Sequence, residues 1–356
     1  MIDLDDPDAL RRADPSRMLD AVLGLPGDCR EGYRLGRSAD NLPSADSVSS
    51  VVVCGMGGSG MAGDVLRALY RDRLGLPIVV AKGPELPEFC GKDTLVVCSS
   101  YSGITAETLA CLEEALARGS RVVAVSSGGE LARRAGKEGV ALVSVPEGYQ
   151  PRAAIGHLSF GLMGALEGVG VLPAMDADVG HCVRTLEALA PELGPDRPAA
   201  GNRAKDLALA IGERFPVVWG ADGLGAVAAT RWKTQLNENA KVPAFSAALP
   251  ELDHNEVVGW SEGAGERFVL ITLRHRGEHP DVAPRFGVSV DVVAGSGLVH
   301  REVRADRGSP MADLMSLIMV GDAVSVYLAC LRGFDPAPIE AIRRIKEALE
   351  ERSPGA

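Results

Sequence analysis

The chain has 356 residues, of which 46% are hydrophobic and 24% charged, the composition of an ordinary globular protein long enough for two domains with real cores. Its formal net charge of −11, with no clustered Lys and Arg, excludes nucleic acid and anionic membrane surfaces as partners, because phosphate backbones and lipid headgroups are held by concentrated positive charge. Seven cysteines form no CxxC pair, and Met1-Ile2-Asp3-Leu4-Asp5-Asp6 lacks the basic and apolar regions of a signal peptide, so buried free thiols and a cytoplasmic location are expected.

Residues 1–45 mix Asp, Arg, Leu and Pro, with one short helix predicted around Pro15 to Leu23. They read as a helical extension over a first domain spanning 46–150. There, strands are predicted at Val51–Cys54, Pro77–Ala81, Thr94–Cys98, Arg121–Val125 and Leu142–Val145, with helices at Met61–Arg71 and Thr105–Arg118. This alternation predicts a parallel sheet covered on both faces. Residues 151–203, punctuated by five prolines, read as a helical crossover. A second domain over 204–310 repeats the plan, for Gly220, Gly223 and Gly225 follow Gly55, Gly58 and Gly60 at a constant offset of 165 residues. Phe268–Leu273 occupies the position of Leu95 onward but leads into Arg274-His275-Arg276-Gly277. The repeat keeps the strands and loses the hydroxyls.

The last segment, 311–356, holds an apolar helix and a terminal amphipathic helix from Pro338 to about Glu351. Within the first, Leu314–Leu331 reaches the lower edge of membrane-spanning length. Its one charge, Asp322, would cost roughly 2.5–3.5 kcal/mol at a bilayer centre, so a buried or inter-subunit helix is the expectation.

Two strand-to-helix turns carry chemistry. Ser99-Ser100-Tyr101-Ser102-Gly103-Ile104-Thr105 follows one apolar strand, and Gly55-Met56-Gly57-Gly58-Ser59-Gly60 follows another. The first N–H groups of a helix have no intrahelical partner and sit at the positive end of the macrodipole, so an anion is stabilised there. The hydroxyls add donors without adding charge. Such turns gather at the carboxyl ends of parallel strands, where they face one crevice and fit a phosphate monoester. Capping alone accounts for hydroxyls in one turn; the pair favours phosphate.

Other patterns are weaker. Gly55-x-Gly57-x-x-Gly60 matches a dinucleotide fingerprint, yet the next strand ends at Ala81-Lys82 where a ribose-binding acid belongs. His275-Arg276-Gly277-Glu278-His279 spells H-x-x-E-H, but Gly277 and Pro280 argue against the helix a zinc site needs. Glu238, His254, Arg152 and Lys346 are by residue type equally compatible with solvated surface groups.

The GMGGSG and SYSG-x-T turns together resemble the sugar isomerase (SIS) domain. Arg152 in Pro151-Arg152-Ala153-Ala154, Glu238 in Asn237-Glu238-Asn239-Ala240-Lys241, His254 in Asp253-His254-Asn255-Glu256, and Gly321-Asp322 with Ser325-Val326-Tyr327 resemble the bifunctional phosphoglucose/phosphomannose isomerase family, from about Val51 to Leu349. The resemblance implies an α/β fold of two SIS domains, each a parallel sheet flanked by helices in a flavodoxin-like or Rossmann-like sandwich. It implies an aldose–ketose isomerase acting on hexose 6-phosphates, without metal or redox cofactor. In that reading Glu238 shuttles the proton, Arg152 stabilises an enediolate, His254 with Lys346 opens the sugar ring, and Gly58, Ser59, Ser100, Ser102 and Thr105 hold the phosphate. It further implies a homodimer in which His254 enters from the neighbouring subunit, the apolar helix needing cover. Ile104 and Ala106 depart from the family's phosphate turn, which has a small polar residue and Glu there. The departure leaves a non-catalytic sugar-phosphate sensor as the alternative.

Overall fold

The computed structural model describes residues 2–263 and 265–352. Five strands, β1 (Ser50–Cys54), β2 (Ile78–Ala81), β3 (Thr94–Ser99), β4 (Arg121–Ser126) and β5 (Ala141–Ser144), form an all-parallel sheet in the order β2-β1-β3-β4-β5. Four more, β6 (Phe215–Ala221), β7 (Phe245–Leu249), β8 (Phe268–His275) and β9 (Val299–Ala305), form a second in the order β7-β6-β8-β9. The second order reproduces the first with its last strand missing. In both copies a glycine at the carboxyl end of the first strand, Gly55 after β1 and Gly220 in β6, backs onto the glycine five residues later. A Cβ on Gly60 would lie 2.4 Å from the Gly55 carbonyl oxygen, and one on Gly220 would lie 2.1 Å from that of Gly225. No side chain fits such an approach, and the fixed glycine spacing has its cause there.

Strand alternation divides the core. Val51, Val53, Leu95, Val97, Val123 and Val125 face one side of the first sheet; Val52, Cys54, Val96, Cys98, Val122 and Ala124 face the other, under helices Ala106–Ala117 and Gly129–Glu138. From the second sheet, Val218, Val269, Ile271 and Val303 join the same cluster as the first sheet's Val51 face. The inner faces of both sheets therefore share one core, filled by helices Gly57–Tyr70, Ile155–Val169, Leu224–Glu238 and Pro310–Leu331. Every residue of the last from Met311 to Leu331 is buried within the chain. This corrects the expectation that it needs cover from a second subunit, and with it that argument for a dimer.

The N-terminal segment also differs from expectation. It forms three helices, Pro7–Ala13, Met18–Leu23 and Leu25–Arg37. The third packs closely on Ile155–Val169, and Gly36 lies so near Gly161 that a Cβ there would stand 2.1 Å from its carbonyl oxygen. Its charged, glycine-interrupted sequence hides that contact, because small residues rather than an apolar stripe make the crossing. The second sheet's β7, β9 and helix Arg285–Val293 likewise go unmarked by any strong run in the sequence reading.

Candidate active site

The order β2-β1-β3 places a topological switch between β1 and β3. The chain leaves β1 into helix Gly57–Tyr70 on the inner face and leaves β3 into helix Ala106–Ala117 on the outer face, which opens a crevice at the strand ends. The two turns are joined across it, for the Tyr101 N–H donates to the Ser59 hydroxyl oxygen at 3.1 Å. The Ser100 hydroxyl accepts from the Gly103 N–H at 3.1 Å and pairs with the Thr105 hydroxyl at 2.9 Å. Gly103 has φ +66°, and a Cβ there would stand 1.9 Å from the Gly128 carbonyl oxygen; only glycine lets the turn close this tightly. Ser59 and Ser100 are buried, Thr105 is half-buried and Ser102 is exposed.

Thr105 is the residue before helix Ala106–Ala117, but its side chain turns to Ser100 and does not cap that helix; Gly57–Tyr70 has no side-chain cap either. Hydroxyl capping, the ordinary use of such residues, is therefore not what this turn does. Helix dipoles and uncapped first turns converge with four hydroxyls, a suitable environment for a doubly charged oxyanion group. Ile104 projects into solvent at 63% exposure and adds no donor.

Gly58 lies against the next part of the site: a Cβ on it would come within 3.0 Å of the Pro151 carbonyl oxygen and 3.3 Å of the Arg152 Cα. Arg152 is 2% exposed. Its Nε donates to Asn239 Oδ1 at 2.6 Å, and its Nη2 donates to the Pro336 and Ala337 carbonyl oxygens at 2.9 and 2.7 Å. The remaining nitrogen, Nη1, is buried without a hydrogen-bond partner and stands 3.8 Å from Glu238 Oε2. Burial lowers the Arg152 pKa, while Glu238 opposes that shift. Glu238 is the last residue of helix Leu224–Glu238, its side chain 26% exposed. This helix runs antiparallel to Gly57–Tyr70, because Arg71, just past the end of one, pairs at 2.9 Å with Asp222, just before the start of the other. The carboxylate is thereby carried toward the start of Gly57–Tyr70, beside the hydroxyl turns.

A buried lattice supports this pair. Asn239 Nδ2 donates to the Ser325 hydroxyl at 2.9 Å, and that hydroxyl donates to the Asp322 carbonyl oxygen at 2.6 Å. Arg231 grips both Asp322 carboxylate oxygens at 3.0 and 2.7 Å and donates to the Arg152 carbonyl oxygen at 2.6 Å. Burial pushes the Asp322 carboxyl up and the Arg231 guanidinium opposes it. Asn239, Arg231 and Lys241 carry no chemistry that the sequence alone makes legible; the available signal is charge and amide groups flanking Glu238, together with one acid inside an apolar helix.

His254 and Lys346 are not brought to Glu238 within the chain. His254 ends the turn Glu251–His254 after β7, exposed, its ring making no hydrogen bond among the described residues. Neighbouring Asp253 anchors that turn, accepting from Ser289 Oγ at 2.6 Å and Arg285 Nη1 at 3.2 Å. Lys346 lies on the exposed helix Glu340–Arg352, unpaired among the described residues. The H-x-x-E-H run is a loop: Glu278 grips Arg274 and accepts from the His275 N–H, while His279 faces solvent. Lys82, where the dinucleotide pattern needs an acid, pairs with Asp64.

Residues 200–349 match the family of the bacterial phospho-glucose isomerase C-terminal SIS domain. The chain is 33% identical to the bifunctional phosphoglucose/phosphomannose isomerase of Caldicellulosiruptor bescii, with 94% of this chain and 99% of that protein covered. It is 37% identical to the protein of the same name from Aquifex aeolicus, over 85% and 91%. In fold it is similar to a hypothetical protein of Thermus thermophilus, with a TM-score of 0.74 at 17% identity over 97% and 94% of the two chains. With two parallel sheets sharing this plan and relatives matching over nearly their whole length, the chain belongs to the bifunctional phosphoglucose/phosphomannose isomerase family.

Proposed function

We propose that the protein is an aldose–ketose isomerase that interconverts fructose 6-phosphate with glucose 6-phosphate and mannose 6-phosphate. The observation that carries the reading is the buried Arg152 Nη1, unpartnered and 3.8 Å from the Glu238 carboxylate, beside turns suited to a phosphate. The Glu238 carboxylate takes the proton from C2 of the open-chain aldose, the C2–H electron pair forms a C1–C2 double bond as the C1 carbonyl π pair moves onto O1, and a cis-enediolate forms. Returning that proton to C1, with a proton passing between O2 and O1, gives the ketose. Arg152 Nη1 is the donor for the enediolate oxygens, a charge that exists only along the reaction path. Ser59, Ser100, Ser102, Thr105 and the first turn at Gly58 hold the phosphate, so binding energy distant from C1 and C2 fixes them at Glu238. These residues supply the proton transfer and the charge stabilisation the isomerisation requires.

Ring opening is assigned to His254 with Lys346. Both are exposed, and so are two apolar faces next to them: Val258, Val288 and Val292 near His254, and Ile342, Ile345 and Leu349 along the helix that carries Lys346. A homodimer that buries these faces and brings His254 to the other subunit's Glu238 completes the site. Seven free, buried thiols fit a cytoplasmic setting.

The test is an assay on fructose 6-phosphate that reads glucose 6-phosphate and mannose 6-phosphate separately, with Glu238→Gln as control. Both products are expected from the unmutated protein and neither from the variant. Sugar-phosphate binding, read as a raised melting temperature without any product, would replace the isomerase with the sensor.

A further inference from the structure

Three residues past Glu238 the chain turns back through Lys241, whose φ of +57° is one of few such values at a residue other than glycine. Its half-buried ammonium shares its three N–H donors among four backbone carbonyl oxygens: Glu238 at 2.9 Å and Asn239 at 3.1 Å on one side, Asp335 and Pro336 at 3.0 Å each on the other. The first two belong to the end of the helix bearing Glu238. The second two belong to a strap that runs from helix Pro310–Leu331 to helix Glu340–Arg352, and Arg152 Nη2 donates to the same Pro336 oxygen. One cation thus fastens the segment carrying the carboxylate to the segment seating the guanidinium. We infer that Lys241 is a positioning residue for the isomerisation, holding Glu238 and Arg152 at their reactive separation by tying the helix end to the Asp335–Ala337 strap.

Charge and geometry agree with this role. A cation at a helix C-terminus satisfies carbonyls that lack intrahelical partners, and here those carbonyls flank the base itself. An aliphatic side chain at 241 leaves four oxygens without this donor and lets the helix end and strap move independently. The phosphate turns lie on other elements and keep their contacts. The expected signature is a loss in kcat with little change in KM.

The ammonium is faced by Glu238 and Asn239 from the helix end, by Asp335 from the strap and by Arg152 from the loop before Ile155–Val169. Burial, then Arg152, lower its pKa to about 8, with Asp335 and Glu238 opposing. Above that pH the neutral amine retains two N–H donors for four carbonyls, and the tie weakens. Global stability moves the other way. A folded-state pKa below the unfolded value means that the unfolded chain binds more protons between about 8 and the ordinary lysine value, so this group's contribution to stability rises with pH there. A fall in kcat above pH 8 without a fall in melting temperature therefore separates positioning from unfolding.

The inference rests on the isomerase reading, and its test is steady-state kinetics on fructose 6-phosphate between pH 7 and 9.5 for the unmutated protein, Lys241→Met and Lys241→Arg, with melting temperatures throughout. Lys241→Met should lose kcat on the order of 10–100-fold at pH 7, as expected for a base displaced by about 1 Å, with KM within about twofold. Lys241→Arg, which keeps its charge at all these pH values, should recover kcat relative to Lys241→Met and remove the alkaline fall. If Lys241→Met does not fold, the profiles of the unmutated protein and Lys241→Arg decide. An active protein whose kcat is flat from pH 7 to 9.5, whose alkaline fall persists in Lys241→Arg, or whose folded Lys241→Met variant keeps its kcat overturns the role of Lys241 and leaves the isomerase standing. An unmutated protein without isomerase activity overturns both.

Discussion

Arg152 commits Nε and Nη2 to Asn239, Pro336 and Ala337, and the rigid fork of the guanidinium then leaves Nη1 without a hydrogen-bond partner, 3.8 Å from Glu238 Oε2. A lysine in its place has no planar fork and cannot satisfy those three acceptors while presenting a further donor in the same direction. Arg152→Lys and Arg152→Met are therefore both expected to lose kcat by about 10²–10³-fold, the usual consequence of removing an oxyanion donor. KM should change far less, because the phosphate contacts proposed above belong to other residues. Steady-state kinetics on fructose 6-phosphate, with folding checked by circular dichroism, tests this. At the same scale, Ile104 is exposed beside Ser102 and Thr105, its side chain adding no donor to that turn and its backbone N–H directed at Ser102 Oγ at 3.5 Å.

Helices Leu224–Glu238 and Pro310–Leu331 are pinned to each other by Arg231 and Asp322, which are almost fully removed from solvent. Removing one member strands the other's charge in the core, at a cost of roughly 3–5 kcal/mol, whereas replacing both by apolar groups of similar volume is often near neutral. Arg231→Met should accordingly lower the unfolding free energy by about that amount, and the pair Arg231→Met with Asp322→Leu should recover much of it. Urea denaturation of the three variants measures both effects. The double variant should still lose kcat, because Arg231 also donates to the Arg152 carbonyl oxygen and so helps fix that residue's backbone. Stability and activity are expected to separate at this element.

Across the whole molecule, the two sheets share one core and the internal repeat divides the labour. The first copy has the hydroxyl turns; the second sends Glu238 back along an antiparallel helix to meet them. One chain brings Glu238, Arg152 and the hydroxyl turns to one end of the molecule, yet leaves His254 and Lys346 in solvent. Mixing an inactive Glu238→Gln protein with an inactive His254→Ala protein should then restore activity, up to about a quarter of the unmutated level. That ceiling follows from random exchange, in which half the dimers are hybrids and each hybrid has one intact site of two. Recovery on mixing after verified subunit exchange, read in the fructose 6-phosphate assay, supports a site built across two subunits. No recovery assigns the whole site to one chain.

The sequence alone determined the five parallel strands of the first sheet and β6 and β8 of the second, through apolar runs too continuous for a sheet with one wet face. It determined the repeat, because the glycine spacing answers to a backbone contact that no side chain survives, and it determined the two hydroxyl turns at their strand ends. Those features are local, fixed by residues within one strand and one turn. Tertiary structure decided the rest. That Glu238 reaches Arg152 depends on the antiparallel crossing of two helices whose sequences lie well over a hundred residues apart. That Arg152 has one nitrogen to spare depends on a strap at Asp335–Ala337 nearly two hundred residues away. The glycines of Leu25–Arg37 and the lone acid in Pro310–Leu331 have meaning only against the surfaces they meet, for a close helix crossing and a buried ion pair are properties of two partners and are written in neither one alone.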